Sequence, residues 1–490
     1  MRKGLIVLLV AVVVVAFALP AMADMTPTNL SVSGFYRSHA FLSNFHDAYS
    51  KPSLRTGDPG DEQQTNAFVE QRLRVRFAFG TENVQAIWFL ESDNLWGDVA
   101  GSSKQFTTDT TGLGAARNSG GALGADRINT ETKNVYVWFK VPDTSVEVAV
   151  GLQNQTDSYA GVIYGGADMA GIFVNGKLEP VTYKFGWAKL YENDTKKADD
   201  MTLYVAEVDL SPVKEVKLGL NFYFLQDDTG KDRTVVFSST STGVELPLDP
   251  GVNTFKSRVY MPGVDATFKA GPATISGFAM YQFGKIEAVR TLKKDVDINA
   301  YMLDARADLN VGPGKFFVEG LYLSGGDDPA TKYKAPITLA TREASPGGNS
   351  AYSRTNMEIM LSSPDTINVS QCLIGCSGGE TSTDPGNGGR GIWHVAAGYQ
   401  QKVTDKLSAR VNAGYLSATK TTKADGLAGV KGKDMATEVN ARIDYNIAKG
   451  LDVGVVGAYA FIGDFYNSNA PGSHDVKDAW TSYARINYAY

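Results

Sequence analysis

Many segments of this chain alternate between apolar and polar residues, and residues 438–447 show the pattern most clearly. One set of alternate positions there is apolar and the other is polar or charged: Val439, Ala441, Ile443, Tyr445 and Ile447 against Glu438, Asn440, Arg442, Asp444 and Asn446. Because successive side chains of a β-strand point to opposite faces, a period of two predicts a strand with different surroundings on its two sides.

The same alternation recurs in other segments, again with charges opposite the apolar positions. The charged sets include Arg72, Arg74 and Arg76, then Glu215 and Lys217, then Asp304, Arg306 and Asp308, and finally Arg410. A dry core cannot hold so many charges, because burying an unpaired charge is too costly. The polar face is therefore expected to be wet and the apolar face to contact lipid. The fold class predicted is all-β, a transmembrane antiparallel β-barrel.

Short turns and long polar stretches divide the predicted strands. The largest polar stretches are residues 94–128, 227–255 and 325–389. Eight short turns join strands in pairs at one rim, where both chain ends also belong. This predicts nine long loops and 18 strands. The least certain strand is the one near Ala170–Lys177, and a barrel that lacked it and a partner strand would have 16. We expect the short turns in the periplasm and the long loops outside. The turns lie near Asn83, Asp143, Pro180, Pro212, Gly271, Pro313, Asp405 and Lys449.

Pro262 conflicts with a central strand, because proline has no backbone N–H to donate and a closed barrel has no free edge. We expect this strand to begin at Gly263 or to contain a bulge at the proline.

The first 23 residues are predicted to be a secretory signal peptide. Arg2 and Lys3 precede an apolar run from Leu5 to Leu19, and residues 21–23 read Ala-Met-Ala. A basic start, a short apolar run and a small-x-small site are typical of a cleaved signal. The alternative is an N-terminal membrane anchor, for which the run is short. Residues 24–490 are then expected to form a single outer-membrane barrel domain.

The chain has two cysteines, Cys372 and Cys376, within the longest polar stretch. In an exported protein this spacing favours a small disulfide-closed loop, with free thiols as the alternative. The formal net charge of −6 argues against a nucleic-acid binder.

The motif search indicates no enzyme, cofactor or metal site. Residues 375–379 read Gly-Cys-Ser-Gly-Gly, which matches a nucleophile elbow by letter but lies in a glycine-rich loop rather than between a strand and a helix. The four histidines form no paired metal-ligand motif.

The strongest candidates for ion selectivity are Glu70, Arg72, Arg74 and Arg76, which alternate along one strand and share its polar face. A ladder of fixed charge can set ion preference in a pore. The alternative is that these residues are ordinary solvated lining of the lumen and pair with neighbouring acids such as Glu91 and Asp93. The other residues expected to line the pore are Lys217, Asp304, Arg306, Asp308, Arg410, Glu438, Arg442, Asp444, Arg485 and Asn487.

The last strand and several local motifs carry a family resemblance. The chain ends in Tyr490, and its first hairpins contain Glu-Gln-Arg-Leu-Arg at 70–74, Phe-Leu-Glu-Ser at 89–92, Leu-Trp-Gly at 95–97 and Asn-Val-Tyr-Val-Trp-Phe at 134–139. The sequence resembles the Gram-negative outer-membrane porin family, in particular large porins of anaerobic metal-reducing bacteria. Its expected architecture is similar to that of alginate-export-type barrels. The resemblance implies that Tyr490 is the assembly signal read by the barrel-assembly machinery.

The leading hypothesis is a passive diffusion channel for ions and small hydrophilic solutes in the outer membrane. Residues 160–171 are a candidate inward-folding loop, with an ordinary outer loop as the alternative. Two other functions stay open: a structural sleeve for a secretion or electron-transfer assembly, and an exporter of an anionic polysaccharide. The expected partners are outer-membrane lipid, lipopolysaccharide, the barrel-assembly machinery and small solutes, without nucleic acid, and the oligomer to test is a homotrimer.

Overall fold

The structure is a computed structural model in which the following residues are described: 29–46, 65–97, 130–229, 238–239, 244–245, 256–289, 294–328, 332–339, 352–361, 363, 372–374, 385–421, 432–466 and 477–490. The signal peptide prediction falls on residues 1–23, outside the described residues.

Eighteen long antiparallel strands form one closed barrel in this part of the chain. Their bounds are β1 Asn29–Ser43, β2 Asn66–Gly80, β3 Val84–Leu95, β4 Thr130–Lys140, β5 Glu147–Gln155, β6 Ala167–Leu178, β7 Val181–Tyr191, β8 Met201–Val213, β9 Val216–Asp227, β10 Lys256–Ala270, β11 Ala273–Val289, β12 Lys294–Val311, β13 Gly314–Leu323, β14 Ile392–Lys402, β15 Leu407–Ala418, β16 Asp434–Ala448, β17 Leu451–Ile462 and β18 Ala479–Ala489.

Each strand pairs with the next in sequence, and β18 closes the barrel on β1 from Phe35↔Ala489 to Ser43↔Thr481. Closure leaves no unpaired sheet edge, which is what a lipid environment requires. The prediction of 18 strands is therefore confirmed, and the weakest predicted strand, near Ala170–Lys177, lies within β6.

Short helical and strand pieces lie outside the barrel strands. The 3₁₀ turns are Asn387–Gly389 and Asp464–Tyr466, and the two-residue strands are Ser238–Ser239, Val244–Glu245 and Lys332–Tyr333. No helix among the described residues is long and apolar enough to cross a membrane.

The connections differ strongly between the two rims. Eight short turns join the strands in pairs at one rim, as predicted, starting with residues 81–83 between β2 and β3. The other rim carries the longer connections, up to residues 324–391 between β13 and β14. The prediction of nine long loops is wrong at one place, because only residues 290–293 separate β11 from β12.

The outer face of the barrel carries the apolar positions of the alternating pattern. In β16, Val439 is 46% exposed and Ile443 is 55% exposed. Glu438, which points to the other face of the same strand, is fully buried. Exposed apolar side chains with inward polar neighbours are the arrangement of a lipid-facing barrel wall.

The inner face is not wet throughout, which corrects the expectation from the charge pattern. In the half nearer the long connections, the inward side chains are apolar and buried, among them Phe173, Leu203, Val205, Leu225, Val259, Met280, Met302, Leu321, Ile392 and Leu416. Segments from two of the long connections fold into this half and cover these residues. Charged inward residues with access to solvent lie mainly in the half nearer the short turns. We call the two halves the packed half and the charged half.

Pro262 lies inside β10 rather than before it, so the expected start at Gly263 is wrong. It pairs with Phe222 of β9, and the register with β11 is the same at Tyr260↔Phe283 as at Gly263↔Met280. No bulge is therefore present at the proline. The described pairing with β11 is interrupted at residues 261 and 262. Proline has no backbone N–H, so the ladder of hydrogen bonds is incomplete there.

The orientation of the rims is testable by cysteine labelling on intact cells. We expect a membrane-impermeant thiol reagent to label a single cysteine at Asp327, an exposed residue in the connection between β13 and β14, and not one at Asp143 in a short turn. The background is a Cys372→Ser and Cys376→Ser variant. Labelling at position 143 alone would reverse the orientation.

Candidate channel constriction

Three segments enter the packed half of the lumen. The first inward segment is residues 156–166, between β5 and β6. The second is residues 332–339 and the third is residues 352–361, both within the connection between β13 and β14. The sequence predicted an inward loop at residues 160–171, but residues 167–171 belong to β6.

A single carboxylate shapes the first inward segment. Asp157 accepts backbone N–H bonds from Tyr159 and Gly161 at one oxygen and from Ile163 and Tyr164 at the other, at 2.7–2.8 Å. Burial raises the pKa of Asp157 to about 6, and the four N–H bonds oppose this shift. The carboxylate is thus ionised at neutral pH and fixes a compact turn.

The first two inward segments join each other and the wall. The Leu339 N–H donates to the Ile163 carbonyl at 2.9 Å. Gln282 of β11 is fully buried and bonds Ile337 twice, accepting from its N–H at 2.7 Å and donating to its carbonyl at 2.9 Å. Tyr159 packs edge-to-face on Phe278, with ring centroids 5.4 Å apart. These contacts close one side of the lumen with a packed apolar layer.

The third inward segment is held by charged groups of the wall. Arg354 lies 3.0 Å from Asp304 Oδ1 and 3.2 Å from Glu319 Oε1, and its Nη2 donates to Ser276 at 2.9 Å. The Tyr352 hydroxyl oxygen lies 3.0 Å from Asp304 Oδ2 and 2.5 Å from Glu319 Oε1, and donates its one proton to this pair of carboxylates. Asp304 therefore faces inward as predicted, but it serves this segment rather than open water.

The predicted ladder on β2 separates into residues with different surroundings. Glu70 is 1% exposed and lies 3.3 Å from His39 Nδ1. Arg72 is 8% exposed and binds both oxygens of Asp93 at 2.7 Å. Arg74 is half-buried and pairs with Glu91.

Arg76 is half-buried and makes no ion pair with the described residues. It is the ladder residue nearest the short-turn rim, since β2 ends at Gly80. Among these three arginines, Arg76 is thus the one whose charge no described carboxylate of the wall neutralises.

The remaining predicted lining residues lie in two kinds of surroundings. Arg410 and Glu438 contact the third inward segment, and the others lie in the charged half. Arg306 bridges Asp308 and Glu319 at 2.7 and 2.5 Å, and Lys217 pairs with Asp209 at 2.9 Å. Glu438 is fully buried beneath the third inward segment and so does not contact the water of the lumen. A cavity of about 360 Å³ near the short turns is lined by Arg442, Asp444, Asp452 and Arg485, among others.

Sequence reasoning missed two arginines of the lumen, Arg37 on the barrel wall and Arg354 in the third inward segment. Arg37 of β1 lies directly opposite Arg72 in the register, and its guanidinium lies 5.2 Å from the centre of the Phe35 ring. Arg74 approaches the same ring at 5.5 Å. Arg354 was missed because its loop showed no periodic pattern. Arg37 has the same alternating position as the ladder residues and could have been found by that signal.

The opposite wall carries acidic residues in the charged half. Glu207, Asp209 and Asp265 lie on β8 and β10, with Lys184 3.4 Å from Glu207. A cavity of about 380 Å³ there is lined by Glu147, Lys184, Glu207 and Asp209, among others. Inward arginines thus lie on β1, β2, β15, β16 and β18, where most of them pair with carboxylates, and inward carboxylates lie on β8 and β10.

The other predicted sites are placed as follows. Cys372 is buried, but Cys376 lies outside the described residues, so their pairing stays a prediction. Tyr490 is 44% exposed and bonds Gly34 through both backbone groups at 3.1 Å. Glu91, Asp93 and Glu131 have oxygens close enough together for a metal ion, but Arg72 and Arg74 already pair with two of them.

Comparison with known proteins supports the architecture. Residues 261–485 match the sequence family described as a porin subfamily. Three Pseudomonas aeruginosa structures are similar over 94% of this chain: the outer membrane protein OpdK (TM-score 0.51, 11% identity, 98% of that chain), OccK8 or OprE (0.52, 11%, 98%) and OpdL (0.52, 10%, 99%). At such low identity the structural likeness establishes the fold. No curated protein matches the sequence.

Proposed function

We propose that this chain, a porin of the Gram-negative outer-membrane type, is a passive diffusion channel for ions and small hydrophilic solutes that favours anions. The observation that carries the proposal is the charged half of the lumen, where solvent-accessible charges line the inner wall of a closed barrel. An 18-stranded barrel is wide enough for an aqueous path, whereas about eight strands would be filled by side chains.

The inward segments and the inward charges of the wall supply the selectivity. The three segments narrow the packed half of the lumen. Arg37, Arg74 and Arg76 lie on the adjacent strands β1 and β2, and Arg76 has no described ion-pair partner. Fixed positive charge raises the local concentration of anions in a pore. A small organic acid would also find the Phe35 ring between two guanidinium groups.

Planar-bilayer recording of the purified, refolded chain tests the function directly. We expect stepwise, ohmic conductance with a reversal potential that favours anions in a salt gradient. A wild-type barrel that conducts nothing would overturn the diffusion proposal and favour the structural sleeve.

Arg76 provides the test of anion preference. We expect Arg76→Gln to shift the reversal potential toward cations, most clearly in dilute salt, because the Debye length is about 10 Å at 0.1 M and longer below it. Arg76→Lys keeps the charge and is the matched control, with the wild-type reversal potential. Equal reversal potentials for all three proteins would reduce Arg76 to ordinary lumen lining.

The same proposal covers the processing and partners of the chain. It assigns residues 1–23 to a cleaved signal peptide, residues 24–490 to the barrel, and Tyr490 to recognition by the barrel-assembly machinery. Lipopolysaccharide contact and a homotrimer are part of it, and enzymatic activity and a bound cofactor are not. Support comes from the sequence pattern and from the exposed ring of Tyr490 at the short-turn rim. Polysaccharide export stays the alternative for the inward arginines of the wall.

A further inference from the structure

The third inward segment has an unusual attachment to the barrel wall. Its backbone runs past Glu438 of β16, whose side chain is fully buried. One carboxylate oxygen accepts the Glu358 N–H at 2.7 Å, and the other accepts the N–H groups of Ile359 and Met360 at 3.1 and 2.9 Å. A strand of the barrel thus supplies one acceptor for three successive backbone donors of a loop.

Neighbouring side chains support this acceptor. Asn440 donates to Glu438 at 2.8 Å and to the Asn356 carbonyl at 3.0 Å. The side chain of Glu358 points to the next strands, where Arg410 approaches at 3.3 Å and the Tyr483 hydroxyl donates at 3.0 Å. Three strands of the wall therefore converge on residues 356–360.

The energetic role of Glu438 follows from its surroundings. Hydrogen bonds that involve a charged partner are stronger than those between neutral groups, and a buried donor left without an acceptor carries its full desolvation cost. Without the Glu438 carboxylate, three backbone N–H groups lose their acceptor in an apolar layer. Movement of the segment into the water of the lumen would then lower its free energy, because water can accept hydrogen bonds from those three N–H groups.

We propose that Glu438 is the positioning residue that sets the width of the channel, by holding residues 356–360 against the wall. The segment lies inside the lumen, so its position limits the cross-section that remains for solutes. This inference rests on the proposed diffusion function. Glu438 was predicted to line the pore. The inference gives it a positioning role instead, since Glu438 does not contact the passing solute.

Single-channel recording of Glu438→Gln tests the assignment. A glutamine keeps the size but replaces one acceptor oxygen with an NH₂ group that faces a backbone donor. We expect greater current noise, a changed unit conductance and a changed size limit for neutral polyethylene glycols that enter the pore. The matched control is Asp452→Asn, an inward carboxylate of β17 that bonds Arg485 and Asn487 and does not contact the segment. It should keep the wild-type size limit.

A cross-link separates positioning from general damage to the fold. The Met357 sulfur lies 3.1 Å from where a β-carbon on Gly414 would be placed, so cysteines introduced by Met357→Cys and Gly414→Cys come within reach of a short, reducible thiol-reactive cross-linker between the segment and β15. In a background without Cys372 and Cys376, cross-linking this pair should restore the wild-type size limit to Glu438→Gln, and reduction should remove it again. An unchanged size limit in Glu438→Gln would overturn the assignment, as would a change that the cross-link does not reverse. A non-conducting wild type would instead overturn the diffusion function.

Discussion

Replacing Ala441 with arginine is expected to destabilise the folded barrel by about 2–4 kcal/mol, the range for arginine at the lipid-facing midplane of a barrel. Ala441 is the central residue of β16 and is exposed on the outer face. The cost arises because the guanidinium leaves water for hydrocarbon. Urea unfolding of the protein refolded in lipid vesicles measures the change.

The neighbouring inward position is the control for this prediction. Arg442 binds Asp444 at 2.6 Å on the lumen side, and Asp444 also lies 3.4 Å from Arg485. Arg442→Ala should therefore cost much less, because Asp444 keeps a cation and water is near. Equal destabilisation by both substitutions would argue against lipid on one face and water on the other.

Replacing Arg72 with alanine is expected to cost about 3–5 kcal/mol, the range for breaking a buried ion pair by removing one partner. Asp93 and Glu91 are 4% and 2% exposed, and Arg72 approaches both. Its loss leaves Asp93 buried without the guanidinium that binds both its oxygens. The same unfolding experiment measures this effect.

Two variants make the Arg72 prediction specific. Arg76→Gln on the same strand should change the unfolding free energy by less than about 0.5 kcal/mol, as is usual away from buried networks. Replacing Arg72 and Asp93 together with Met and Leu should recover most of the loss, because apolar residues of similar volume tolerate such sites. An Arg72→Ala variant as stable as Arg76→Gln would show that the pair contributes little.

The sequence allowed the barrel wall to be predicted because each strand reports its own surroundings. The alternation in residues 438–447 indicates an apolar environment on one side whatever the neighbouring strands are. The count of 18 followed from the spacing of turns, which are local features of Gly, Pro, Asn and Asp. Neither inference needed knowledge of contacts between distant residues.

The constriction was harder to predict because it depends on such contacts. Whether Ile359 packs in the lumen or faces outside water depends on acceptors about 80 residues away on β16. One signal was present: residues 201–206 are apolar or uncharged at every position, so β8 loses its alternation where the inward segments cover it. A strand that is apolar on both faces indicates burial on both faces.

The state of each ladder residue was likewise a matter of register. Arg72 lies directly opposite Asp93 because the pairing of β2 with β3 places them so. The sequence alone offered both fixed selectivity charges and ordinary ion pairs as interpretations. The structure favours ion pairing for Arg72 and Arg74 and leaves Arg76 as the candidate for selectivity.

The closure of the barrel between β1 and β18 constrains how the protein is made. Arg37 and Asn487, which contact each other at 3.5 Å, are 450 residues apart in the chain. When only the first seventeen strands have been synthesised, the strand that pairs with the outer edge of β1 does not yet exist. Any sheet that these strands form therefore has an open edge at β1. Open edges recruit other chains, and long-range closure is slow. We therefore expect a chain that folds before its last strand is available to aggregate through this edge, so the barrel can close only when the whole chain is present.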